Sequence, residues 1–209
     1  MTTKKSPLSI KIIYYLTQFL FGMTILASVF LILFFVGHLS GLLHGDTETA
    51  LDLPVRMEFL ETGLFTANDQ QYEVTIKDAT GTFEFNGLPK SVVAVTLLVT
   101  LGFIGLGLSE ILFFRKFITN VYNGIYFTAE NIGHLKKMAY ILMAAWIYIL
   151  LISALASGFA MSTLEFEHLR FTGIKSDSSG ILFGALFLWV LSHIFSKGVQ
   201  LQTENELTV

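Results

Sequence analysis

The sequence predicts an all-α integral membrane protein of four transmembrane helices, with both termini on one side and a small extracytoplasmic β-hairpin or sheet. Three observations carry that expectation. Of the 209 residues, 53% are hydrophobic and only 14% charged, against about 25% charged in an ordinary soluble domain. Four apolar runs are separated by polar segments, and each run is near or above the roughly 20 residues that a spanning helix needs. One polar segment is rich in acids and alternates apolar with polar side chains, as strands do. The formal net charge of −3 offers no basic face for direct contact with nucleic acid. There are no cysteines, which excludes disulfides, thiolate metal sites and a cysteine nucleophile.

A cytoplasmic lead, 1–11, carries Lys4, Lys5 and Lys11, and no charge follows until Asp46. The first span is placed at 12–44. It outruns the apolar core of about 7 to 15 residues in a cleaved signal peptide, and Tyr14, Tyr15 and Gln18 suit an interfacial anchor. The acidic segment 45–90 sets nine acids against Arg56, Lys77 and Lys90. Tyr72, Val74 and Ile76 alternate with polar residues, the turn chemistry of Asp78-Ala-Thr-Gly81 follows, and Thr82, Phe83 and Phe85 resume the pattern. A β-hairpin between those two stretches is expected. A lone hairpin is marginal in water, so a strand from 51–60 and one from the second outer loop, where Leu164 and Phe166 alternate with Glu165 and Glu167, are expected to join it.

The second span, 91–114, contains Gly102, Gly105, Gly107 and Ser109, small positions that suit helix packing in lipid. Gly102-Phe-Ile-Gly-Leu-Gly107 has the wrong order and the wrong context for a nucleotide loop. A cytoplasmic hinge, 115–137, holds Arg115, Lys116, Lys136 and Lys137 against Glu130. The third span is 138–163, the second outer loop 164–179, and the fourth span 180–196, which opens with the Gly180-x-x-x-Gly184 pair. The tail, 197–209, is polar. Eight Lys and Arg fall on the hinge side and five on the other, so both termini are expected in the cytoplasm.

Few residues suggest chemistry. Glu110 is the lone acid inside a span, and an ionisable group there raises the hypothesis of proton or cation passage. The blander account is snorkelling or pairing with Arg115 and Lys116, about one turn on. His38 and His44 border the first span and His168 lies near Glu165 and Glu167, a set that suggests zinc ligands. Six residues on a helix, however, turn the first pair about 120° apart. His193 is expected to face Lys197, and His134 to sit at the interface among the hinge lysines. No nucleophile elbow, zinc-protease signature or phosphate loop occurs, so neither an enzyme nor a cofactor is expected. The terminal Leu207-Thr-Val209 only weakly suggests a carboxylate captured in a groove.

The most distinctive wording lies in the hinge, Gly124-Ile-Tyr-Phe-Thr-Ala-Glu-Asn131 with Leu135-Lys-Lys137, and in the tail. It resembles a bacterial family of small four-span membrane proteins known as domain of unknown function 2975. That family carries Gly-x-x-Phe-x-x-x-Asn with a following Leu-Arg pair before its third span. Its fourth span runs into Phe-x-x-Gly-x-x-Leu and a Thr-Val ending. The matching positions are Gly124, Phe127, Asn131 and Leu135, then Phe195, Gly198, Leu201, Thr208 and Val209. Tyr126 stands where proline is frequent, and Lys136 and Lys137 where arginine is usual. By span order the resemblance covers nearly the whole chain.

What the resemblance implies is a bacterial cytoplasmic membrane protein of uncharacterised activity. Its genes often neighbour one for a small helix-turn-helix DNA-binding regulator, which implies a cytoplasmic partner. Gly124, Phe127, Asn131, Leu135, Lys136, Lys137, Phe195, Gly198 and Leu201 are then the candidate contact residues. The residues themselves offer a simpler account, in which this wording turns the chain and seats the third span, with Thr128 as helix cap and Glu130 near the positive helix end. The expected function is a non-enzymatic sensor or regulatory membrane partner. The alternatives are a small transporter or channel subunit, homo-oligomeric through the glycine faces of spans two and four, and a structural accessory protein.

Overall fold

The computed structural model describes residues 7–40, 51–85, 87 and 89–207. Lys4, Lys5, His44, Thr208 and Val209, on which several of the expectations above fall, lie outside them, as does the His38 side chain. The elements run α1 (Leu8–Leu39), β1 (Leu51–Phe59), β2 (Thr62–Ala67), β3 (Gln70–Thr75), β4 (Ala79–Phe85), α2 (Lys90–Tyr122), α3 (Ala129–Thr163), β5 (Leu169–Ile174) and α4 (Ser179–Leu207). All four helices are long and apolar enough to cross a membrane. Each is longer than its apolar run alone, because lysine, arginine and glutamine continue a helix as well as leucine does.

The chain divides into two compact units. The first gathers Met1–Leu43, Thr96–Ile147 and Ser178–Val209. On α1 most large apolar side chains are exposed, Phe19, Leu26, Phe30 and Leu33 among them, as expected of a helix whose solvent is lipid. Among its described side chains Thr17 and Ser28 are buried, and their hydroxyls bond back to the carbonyls of Ile13 at 2.7 Å and Thr24 at 2.6 Å. A small polar residue is cheap to bury in a helix interface once its hydroxyl is satisfied by its own preceding turn. Tyr14 stacks on Tyr122 of α2 at 4.4 Å, and Arg115 Nε donates to Gln18 Oε1 at 2.6 Å while its guanidinium covers the Phe21 ring. The first turns of α3 bury Asn131, Ile132, His134, Leu135, Met138 and Ala139, the i, i+3, i+4, i+7 stripe of an inward face.

The small residues of the spans are used unevenly. Around Gly105, Gly107 and Gly180 no neighbour stands within 4 Å of the place a Cβ would occupy, whereas Gly184 meets the Leu142 side chain of α3. The expected packing glycines of α2 therefore seat no neighbour within the protomer at 105 and 107.

The second unit gathers His44–Val95 and Tyr148–Asp177. It holds a three-stranded antiparallel sheet in the order β4-β1-β5 and a separate hairpin of β2 with β3. The hairpin expected between 72–76 and 82–85 does not form. Tyr72 pairs instead with Phe65, across the two-residue turn Asn68-Asp69, both of whose φ angles are positive; that geometry matches the twist of antiparallel strands. Strand β4 returns to β1, with Phe83 opposite Leu53 and Phe85 opposite Leu51.

Pro54 lies in the central strand without breaking it. Its carbonyl accepts from Lys175 N just past the end of β5, so its missing N–H also points to that side and the β1–β4 ladder loses nothing. One face of the sheet closes over α3. Val55, Ala160 and Phe171 are buried together, with Leu53, Met57, Phe83, Leu164 and Ile174 packed round them. Ser157 of α3 accepts a hydrogen bond from Ile174 N at 3.0 Å. It does so beside the register shift in β5, where Gly173 has φ +153°.

Candidate functional site

The expected hinge of 23 residues is a connection of six, 123–128. Charge marks where water begins, not where a helix ends. What ends α2 is Gly124, at φ +80°, with Gly124 N bonded to Val121 O and Ile125 N to Asn120 O. This is the Schellman arrangement, in which a left-handed residue lets two amides turn back onto the last free carbonyls. Open space surrounds the Gly124 α-carbon, so glycine is needed there for conformation rather than for room.

Asn131 ties the connection down. It is completely buried. Its Nδ2 donates to the carbonyls of Ile125 at 2.8 Å and Tyr126 at 2.9 Å, and its Oδ1 accepts from Asn120 Nδ2 at 2.9 Å. One side chain thus links the end of α2, the connection and the start of α3. Thr128 caps α3, its Oγ1 accepting from Asn131 N at 3.3 Å, with Glu130 in the first turn.

The tail motif meets the connection from α4. Phe127 packs on Phe195 at 5.2 Å between ring centroids, and Phe195 in turn meets Phe117 of α2. Gly198 lies beneath Phe127, whose ring carbons would stand 3.1 Å from a Cβ placed there. Two stretches about 70 residues apart in sequence therefore meet through Phe127, Phe195 and Gly198, with Asn131 holding the loop that carries Phe127; the span order brings both to the same bundle end. Leu201 and Lys137 are exposed and Lys136 half-buried. The cluster holds no nucleophile, and its chemistry is conformational: it fixes a loop.

That loop turns three consecutive apolar side chains outward, with Ile125, Tyr126 and Phe127 exposed by 44%, 42% and 51%. Sequence reasoning missed Asn120, which completes the Asn131 network; its signal is a second asparagine at the far end of the same polar stretch. Gly198→Leu is expected to destabilise by about 1–3 kcal/mol, because the larger side chain must push Phe127 off Phe195. Thermal denaturation in detergent checks this. An unchanged midpoint would mean that Phe127 does not rest on α4.

The other candidates fare differently. Glu110 does not pair with Arg115 or Lys116. Five and six residues turn those cations about 140° and 120° away from it round the helix, and Arg115 is engaged by Gln18 and Phe21. Glu110 Oε2 is buried without a hydrogen-bond partner. His134 is buried rather than interfacial. His193 Nδ1 lies 3.0 Å from Trp189 O, while Lys197 turns to Gln200. His168 is flanked by Glu61 at Nδ1, 2.8 Å, and Glu167 at Nε2, 3.8 Å. Because the two carboxylates sit on opposite ring nitrogens, they converge on no common point. No metal-binding cluster of three histidines or acids exists among the described residues.

Four helices able to cross a membrane and small antiparallel sheets make this a multi-pass membrane protein. Residues 66–209 match the family model described as Protein of unknown function (DUF2975), and the chain belongs to that family. The match begins inside β2, so α1 and β1 lie outside it and it covers less of the chain than the span order suggests. No curated protein and no solved structure matches the chain.

Proposed function

We propose that this chain is a non-enzymatic sensor or regulatory membrane partner whose contact surface is the α2–α3 connection. The observation that carries this reading is the outward run of Ile125, Tyr126 and Phe127 on a backbone already fixed by Asn131. An apolar surface held rigid before binding loses little entropy when a partner covers it. A small helix-turn-helix regulator is the partner implied by the family resemblance. A change at the acidic extracytoplasmic loop would shift the population between two helix packings and so alter this surface.

The test is recovery of such a regulator from membranes with the full chain and with Tyr126→Ser, a variant that leaves the Tyr126 carbonyl in place. Recovery with the parent chain and loss with the variant supports the reading. Recovery with neither counts against it.

The proposal places both termini in the cytoplasm of a bacterial cell, with the acidic loop outside, because eight of the basic residues fall on the connection side. Thr80 is exposed on β4. Thr80→Cys is expected to react with an impermeant thiol reagent in intact cells, and protection there would invert the orientation.

Glu110 supports a second reading as a small transporter or channel subunit, since its buried Oε2 has no partner and an acid within a span needs a reason to be there. In that reading copies associate through the glycine positions of α2 and α4 that no neighbour fills, Gly105, Gly107 and Gly180. Glu110→Gln should then abolish a measured cation flux in vesicles, and unchanged flux removes it from the pathway.

A further inference from the structure

Lys116 of α2 and Lys137 of α3 bring their ammonium groups over the same ring, that of Phe113, at 5.5 and 5.0 Å from its centroid. Both lysines are exposed. Among the described residues neither has an ion pair or a hydrogen bond. His134 lies against the same ring at 5.9 Å. Its side chain is 8% exposed and neither ring nitrogen has a hydrogen-bond partner, Glu130 Oε1 lying 3.4 Å from Nε2 without the alignment of a hydrogen bond.

Two like charges held within 5.5 Å of one ring centroid repel each other. The ring offsets part of this by cation–π attraction; an anion between the ammonium groups would offset the rest. The sequence says which anion meets this spot. The apolar run of α2 ends at Phe114, two residues before Lys116, and that of α3 begins at Met138, directly after Lys137. Lysines at the boundary of two neighbouring spans stand at the depth of lipid phosphates, and basic pockets between spans bind anionic headgroups.

We infer that Lys116 and Lys137, converging on Phe113 beside His134, form a binding site for the headgroup phosphate of an anionic phospholipid. The lysines supply point charges, as they do for other phosphates. Phe113 is the ring that both ammonium groups meet, and the apolar faces of α2 and α3 take the acyl chains. The site shares Lys137 with the candidate contact residues of the regulatory reading but uses no residue of the Ile125–Phe127 surface that carries it.

The full chain in zwitterionic detergent is titrated with short-chain phosphatidylglycerol, with short-chain phosphatidylcholine and with inorganic phosphate, and the melting temperature is followed. Phosphatidylglycerol alone should raise it. In Lys116→Gln/Lys137→Gln the apparent affinity for phosphatidylglycerol should fall roughly thirtyfold, as expected for loss of two near-surface charges. Lys116→Arg/Lys137→Arg should retain it. Lys11→Gln/Lys197→Gln, which removes the same net charge elsewhere, should also leave it unchanged. Equal response to phosphatidylcholine overturns the proposal, and so does equal loss in the Lys11/Lys197 control, which would mean diffuse attraction. A full response to inorganic phosphate overturns the lipid assignment. If the glutamine pair does not fold, the two single substitutions carry the same test, and unchanged affinity in both overturns the site.

Discussion

Asn131→Ala is expected to lower the stability of the helical unit by about 2–3 kcal/mol, read as a drop in melting temperature in detergent and as new protease cleavage at 123–128. The figure follows from what the truncation strands. The carbonyls of Ile125 and Tyr126 lose their donor and the Asn120 amide loses its acceptor, and a net hydrogen bond is worth about 0.5–1.5 kcal/mol. The two carbonyls belong to half-exposed residues, so water recovers part of their loss, which keeps the figure below the sum. Asn131→Asp separates donors from shape. It fills the same volume but faces two carbonyl oxygens with a carboxylate, so it should destabilise at least as much as alanine. An aspartate variant as stable as the parent would mean that the network is incidental. Asn120→Ala should cost less, and combining it with Asn131→Ala should add little, because both act on one shared bond.

The same region shows what a sequence can and cannot say. Four spans and an inserted β element are legible because hydropathy and alternation are local patterns, and the lipid or the core answers to them directly. Strand partners are not local. Residues 72–76 and 82–85 were each recognisable as extended, yet the chemistry that decides their pairing is the Asn68-Asp69 turn on one side and the distant β1 on the other. Helix ends were misplaced for a related reason. Arg115, Lys116, Lys136 and Lys137 announce water, and helices run on through them until Gly124 and Thr128 supply the conformational stop and start.

The resemblance pointed to Gly124, Phe127, Asn131, Phe195 and Gly198 without saying that they meet. Only packing could show that Phe127 rests on Gly198. Tyr126 and Ile125, which lie at the variable positions between Gly124 and Phe127, are exposed beside them.

Phe171→Ala in β5 is expected to have the largest effect of all on the second unit, about 3–5 kcal/mol, the usual range for emptying a buried phenylalanine site. Phe171 is 8% exposed, lies 5.9 Å from the Phe83 ring, and shares its core with Val55 and Ala160. That core is small, and a two- or three-stranded sheet without a packed face is marginal, so the loss should release the strands from α3 rather than merely soften them. The expected signature is rapid proteolysis within 51–85 while cleavage at the α2–α3 connection stays slow, because the Asn131 network contains no residue of the sheet. Phe171→Leu should be much milder, since leucine keeps most of the apolar volume against Phe83 and Val55. If alanine and leucine behave alike, side-chain volume is not what holds the sheet, and the Ser157 hydroxyl bonded to Ile174 N becomes the anchor to remove next. If both termini of the strands resist protease in Phe171→Ala, the β1–β4 ladder alone is stable, and the closing of the sheet over α3 contributes less than the burial of Phe171 implies.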